Sequence, residues 1–270
     1  MILSKAYIKF AFNRYNSAKF QRNSIRKILI FCLPIWLLGT SCEEAIELSV
    51  EEFIKPDRNA TATALASEKA AQICLAEYGE EHESTIIALN NSGSFFMFAG
   101  EPQKALAAYE RSLKILQKGL GKEHKALAKP YHGVASAQAA LGRYDEAIAN
   151  FGSAISCYEL GGEKMQKDLM SCYAGLGDTL YKTSDFNGAY AKHAAALKIF
   201  EEVFGADSAN LLRAKYYALL ASDLAGLGKK TEALQNYEKA LELANKILEK
   251  SGDEHAKRLR SEMEAQMRKL

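Results

Sequence analysis

Residues 125–161 read KALAKPYHGVASAQAALGRYDEAIANFGSAISCYELG. Two apolar stretches at helical spacing are split by a short turn around Gly142. After the turn, Ala147, Phe151 and Ile155 follow at steps of four, which places them on one helix face. Gly142 stands where the first helix ends, a place where left-handed backbone favours glycine. A pair of helices patterned this way cannot bury its apolar stripe alone. It needs neighbours of the same kind.

The chain supplies them. Ala105, Ala147, Ala189 and Ala233 recur at intervals of 42, 42 and 44 residues. Four positions after each stand Tyr109, Phe151, His193 and Tyr237, and eight after each stand Leu113, Ile155, Leu197 and Leu241. Five positions before each stand Gly100, Gly142, Ser184 and Gly228. Gly79, Gly121 and Gly205 mark the other end of the unit, with His82 and His124 three residues after the first two. Proline is scarce, at four residues, and Ala, Leu, Glu, Lys and Gln are plentiful, which favours helix over strand. The columns predict an all-α array of antiparallel helix pairs: a degenerate half-unit near 61–79, then units near 83–120, 125–161, 166–204 and 208–250. Residues 253–270 carry Ala256, Leu259, Met263, Met267 and Leu270 on one stripe and are expected to cap the last unit. Residues 42–60 are expected as a tether or a frayed first helix.

These columns resemble tetratricopeptide repeats, and the 42-residue period resembles the longer variety found in kinesin light chains. Gly121-Lys122-Glu123-His124 and Asn90-Asn91-Ser92-Gly93 echo that variety's turn and first-helix motifs. The resemblance implies a right-handed superhelical solenoid over residues 61–252. It further implies a protein–protein interaction scaffold that holds a peptide or partner helix on its concave face.

Ahead of the array lies a different kind of sequence. Residues 1–41 hold seven basic side chains and no acidic one, leaving 28 basic against 33 acidic residues in the rest. A mildly acidic body lacks the clustered basic face that nucleic acid requires, so no nucleic-acid partner is expected. Residues 28–38, ILIFCLPIWLL, follow Arg26 and Lys27. Eleven helical residues rise about 16 Å, short of a bilayer core of about 30 Å. Basic, then apolar, then the small residues Gly39, Thr40 and Ser41 is the order of an export signal. The ending resembles a bacterial lipobox, which implies lipidation of Cys42 and a membrane-anchored protein of the periplasm or cell surface. Leu38 stands one step further from Cys42 than that family's pattern places it. Plain cleavage before Cys42, an organellar transit peptide, and an uncleaved anchor or a cytosolic protein remain open.

Patterns that carry catalysis or bind metal do not emerge. No two histidines stand at i and i+4 around an acid, no glycine-rich phosphate loop follows a strand, and Gly-x-Ser-x-Gly is absent. His82 and His124 read as turn residues, and His193 as a substitute in an aromatic core column. Cys74, Cys157 and Cys172 form an odd set without metal or redox spacing and read as small buried hydrophobes. Cys157 and Cys172 are close enough in order to meet. Neither an enzyme, a cofactor nor a metal is expected.

The partner should sit against the first helix of each pair. Setting the alanine column at position twenty of the repeat turns Asn90, Ser94 and Met97 inwards, beside Asn91. In the second unit Lys129, His132 and Ser136 face the same way, then Asp178 and Tyr181, then Lys215. That surface is small, polar and weakly charged. A structural role through self-association into a homo-oligomer, or assembly of other proteins, is the competing expectation.

Overall fold

The computed structural model describes residues 41–54, 59–205 and 210–270. Its regular structure is helical throughout. The eleven α-helices of the described residues are α1 (Cys42–Ile54), α2 (Ala60–Tyr78), α3 (Glu83–Phe98), α4 (Pro102–Leu120), α5 (Ala128–Ala140), α6 (Tyr144–Glu159), α7 (Gln166–Lys182), α8 (Phe186–Phe204), α9 (Leu211–Gly226), α10 (Lys230–Ser251) and α11 (Glu254–Met267). Short 3₁₀ turns at Lys125–Leu127 and Gly162–Met165 lead into α5 and α7. Each helix packs on the next in chain order. Of the segment expected as an export signal, 1–41, residues 1–40 lie outside the described residues.

The recurring turn explains how one helix reverses into the next. Gly100, Gly142 and Gly228 adopt φ of 75°, 77° and 74°, and Ser184 adopts 63° in the same column. The next residue's N–H then reaches back to the helix just ended: Glu101 to Phe96, Arg143 to Gln138, Asp185 to Leu180 and Lys229 to Leu224, at 2.9–3.0 Å. These bonds satisfy carbonyls that the helix end leaves open. At the other end of the unit the histidines are caps. The Nδ1 atoms of His82 and His124 accept from the N–H of Ser84 and Ala126, and the Asn210 side chain does the same for Leu212.

The alanine column forms the close contact inside each pair. Ala105, Ala147, Ala189 and Ala233 are all fully buried. The ring column fills the space between units. Tyr109 is held between Gly93 of its own pair and Gly133 of the next, where an added Cβ would lie 2.8 Å and 2.4 Å from the ring. Gly175 stands against Phe151 in the same way, at 2.9 Å. Glycine on the neighbouring helix is what lets a full aromatic ring fit there.

The first helices also meet their counterparts directly: α1 meets α3, α3 meets α5, α5 meets α7 and α9 meets α11. Contact of that extent between second helices is absent among the described residues. The first helices therefore line the inner, concave side.

The stretch 42–60, expected as a tether or a frayed first helix, is no tether where it is described. Cys42–Ile54 is a helix packed along α2, so the former half-unit is the second helix of a complete pair. Nor is Cys74 a lone buried thiol: it forms a disulfide with Cys42. The odd set Cys74, Cys157 and Cys172 hides the bridge, because its other member is Cys42, to which the lipobox resemblance gives a different role. Cys157 and Cys172, the pair thought close enough to meet, are free and buried. At the other end, α11 lays Ala256, Leu259 and Met263 against the last pair, with Met267 and Leu270 beside them.

Candidate partner-binding face

The inner face is built from side chains of α3, α5, α7 and α9. Lys129 and Lys215 are exposed, and Asn91, Ser94 and Met97 are half-buried. Tyr181 is 37% exposed and the Asp178 side chain 62%. Asn90 differs from the expectation. It is 6% exposed, so it offers little surface, and its amide oxygen has no hydrogen-bond partner. His132 is half-buried, with Nδ1 3.3 Å from the Tyr158 hydroxyl. Burial pulls it down to about 4, against a weaker opposing pull from Asp168, so it is neutral at physiological pH.

A relation between columns was missed in the sequence. The hydroxyls of Ser94 and Tyr109 lie 2.8 Å apart, and those of Ser222 and Tyr237 lie 3.0 Å apart. The third unit makes the same contact with other chemistry: Asp178 Oδ1 stands 3.4 Å from His193 Nε2. Each pair is fifteen residues apart, as are Ser136 and Phe151, where the ring has no hydroxyl to offer. The repeat of that interval was available in the sequence.

His193 occupies the ring column and is 1% exposed, as a core substitute should be. It is also ionic. Its Nδ1 lies 2.7 Å from Oδ2 of Asp223, a fully buried residue of the next unit's first helix. Burial alone would pull the imidazole down, but Asp178 and Asp223 together hold it up at about 9. Burial pushes Asp223 up, and His193 offsets this only in part. The α7/α8 pair is thus joined to α9/α10 through a charged contact, where Tyr109 and Phe151 instead meet the next pair ring against glycine.

At the middle of the array a cavity of about 250 Å³ opens between α5 and α7. Ser136 and Asp178, both expected on this face, line it together with Ala139, Tyr144, Phe151, Gly175, Thr179 and Lys182. The remaining expected residues do not converge on one spot; they spread along the four helices.

A model of the tetratricopeptide repeat matches residues 66–118, 84–159 and 169–246, more than half of the chain. The chain belongs to the tetratricopeptide repeat family. No curated protein sequence matches it. Solved structures do. The kinesin light chain nearly identical TPR-like repeats of Podosopora anserina align at a TM-score of 0.59 and 17% identity, covering 76% of this chain and 94% of that one. BtubC (BKLC) from P. vanneervenii aligns at 0.57 and 16%, covering 80% and 92%. A Rap protein complexed with competence and sporulation factor aligns at 0.59 and 15%, covering 74% and 53%. At these identities the likeness speaks to fold, and the fold is the tetratricopeptide solenoid that the columns predict.

No group of three or more His, Cys, Asp and Glu arranged to hold a metal occurs among the described residues. The free thiols are poor nucleophiles: burial pushes Cys172 up to about 12 and raises Cys157 too. At the N-terminal end the disulfide is joined by two polar contacts between α1 and α2. The Cys42 N–H donates to Glu77 at 2.8 Å and the Tyr78 hydroxyl donates to Glu43 at 3.0 Å.

Proposed function

We propose that this tetratricopeptide array is a non-catalytic scaffold that binds an extended peptide or a partner helix along its concave face. One observation carries the reading. The inner helices leave a strip of half-buried to exposed, mostly polar side chains, from Asn91, Ser94 and Met97 through Lys129 and Ser136 to Asp178, Tyr181 and Lys215, with one cavity along it. Such a strip can hydrogen-bond a peptide backbone at many points while one cavity sets register. The competing reading, self-association through the cap, has less support, because α11 turns its apolar stripe inwards. The test is selection of extended peptides from a random library against the full chain, followed by anisotropy titrations. Asn91→Ala and Tyr181→Ala should weaken the selected peptides, whereas the outer-face change Glu238→Ala should not. Equal effects from all three would end the concave-face reading.

We further propose that the chain is exported. The basic and apolar segment at 1–41 supports this, as does the Cys42–Cys74 bond, since disulfides persist outside reducing compartments. Among the described residues no helix is long and apolar enough to cross a membrane. Membrane attachment would rest on lipidation of Cys42. One sulfur cannot carry both a thioether-linked lipid and a disulfide, so the two are alternative states of the mature N-terminus. Intact mass of protein taken from its native membrane and soluble fractions separates them. A chain starting at Cys42 plus a diacylglyceryl group establishes the anchor, and an unlipidated chain two hydrogens below its reduced mass establishes the disulfide.

A further inference from the structure

The polar ladder along the concave face is complete in three units and broken in one. Ser94 and Ser222 each share a hydrogen bond with a tyrosine of the second helix and also donate to the carbonyl four residues back. Asp178 meets His193 in the third unit. In the second unit Phe151 takes the ring position, and the Ser136 hydroxyl has no partner among the described residues. The place on the next helix where a side chain would cover the gap is Gly175. The cavity of about 250 Å³ lies at this break.

Its walls specify an occupant. Phe151, Ala139 and Gly175 make the apolar part. Around it stand the free Ser136 hydroxyl, the Asp178 carboxylate and the Lys182 ammonium, with Tyr144 and Thr179 completing the lining. Behind Asp178 lies the His193–Asp223 pair. Of the lining side chains, Asp178 and Lys182 carry opposite charges, so the lining has no net charge and gives no preference to a charged guest. The volume is below the roughly 300–1,000 Å³ of pockets that enclose whole small molecules, and suits one large side chain. A ring with one hydroxyl suits this lining: the ring would lie on the apolar part, and the hydroxyl would donate to Asp178 and accept from Ser136.

We propose that this cavity is a socket for a tyrosine side chain of the bound peptide, whose phenol takes the place of the hydroxyl that Phe151 lacks. The inference rests on the concave-face reading and adds to it a residue preference and a register point. It fixes where along the array the peptide is held.

The test uses p-cresol, the tyrosine side chain without its backbone, and toluene, titrated into the full chain and followed by amide NMR shifts of Ser136 and Gly175. The expected result is saturable binding with p-cresol about tenfold tighter than toluene, the scale of one hydrogen bond to a charged acceptor. Phe151→Tyr should abolish binding of both while leaving the melting temperature unchanged, because it rebuilds the pair already present at Ser94–Tyr109. Ser136→Ala should bring p-cresol towards the affinity of toluene; should Phe151→Tyr melt early, this variant decides alone. Equal binding of p-cresol and toluene to the wild type, or undiminished binding to Phe151→Tyr in its folded state, overturns the proposal. Selected peptides that bind the concave face without any loss on Tyr→Phe exchange also overturn it, yet leave the concave-face reading standing. Absence of any concave-face peptide would instead remove that reading.

Discussion

Replacing Asp223 with alanine should destabilise the array by up to about 3 kcal/mol at pH 6, and the loss should shrink as the pH rises. The magnitude follows from His193. In the unfolded chain its imidazole titrates near 6.5, and in the folded chain at about 9. A shift of this size corresponds to roughly 3 kcal/mol at about 1.4 kcal/mol per pH unit. Because the folded value is raised, this stabilisation is fully present below pH 6.5 and disappears as the pH climbs through 9. Two opposing effects bound it. Asp223 is raised by burial, so its own ionisation detracts from stability at neutral pH. Asp178 remains beside Nε2 in the variant, but its side chain is 62% exposed and solvent weakens its hold.

Removing one member of a buried ion pair generally costs about 3–5 kcal/mol, whereas replacing both with apolar residues is often neutral. The double variant His193→Phe/Asp223→Ala, which copies the phenylalanine of the second unit, should therefore regain most of what the single variant loses. The assay is urea denaturation followed by helical circular dichroism at pH 6, 8 and 10 for wild type, Asp223→Ala and the double variant. A single-variant loss under about 0.5 kcal/mol at pH 6, or one that does not vary with pH, would refute the charged-contact account.

Three further outcomes follow from the fold. Ala147→Phe should lower stability by about 1–3 kcal/mol, since Ala147 is fully buried where α5 and α6 approach closest; an unchanged melting temperature would contradict that packing. Ser184→Gly should raise stability by about 0.5–1 kcal/mol, because Ser184 alone among the non-glycine residues described takes a positive φ, at 63°; a fall in the denaturation midpoint would show that its hydroxyl outweighs the backbone relief. Cys74→Ser should destabilise the oxidised protein by about 3–4 kcal/mol, as expected for a loop closed over a separation of 32 residues, and should have little effect in dithiothreitol; full alkylation of Cys42 and Cys74 in denatured but unreduced wild type would refute the bridge.

How far the sequence discloses this molecule depends on whether a feature recurs. The turn at Gly142 and the alanine contact at Ala147 are dictated by a backbone geometry that every unit must satisfy, so each stands out as a column that spacing alone reveals. Ser184 shows that the column is a conformation rather than a residue: the serine bends the same way and makes the same back-bond as the glycines. Features that occur once leave no column. Asp223 is invisible in its own column, beside Phe95, Ala137 and Thr179, because its reason lies in another unit, at His193. The Cys42–Cys74 bond is hidden likewise, since pairing needs the helix α1 to fold back on α2, and an acidic, short segment next to an apolar leader carries too weak a pattern to predict that packing. The concave face lies between these cases. Its helix positions are periodic and therefore legible, but Asn90 shows that position does not guarantee exposure, since the ring of the neighbouring column and the next helix decide what remains open. The break at Ser136 and Phe151 is the converse. It can be seen only by comparing what one unit lacks with what its neighbours pair, and a repeat protein becomes specific at such departures, because identical units offer a partner no reason to settle at one of them rather than another.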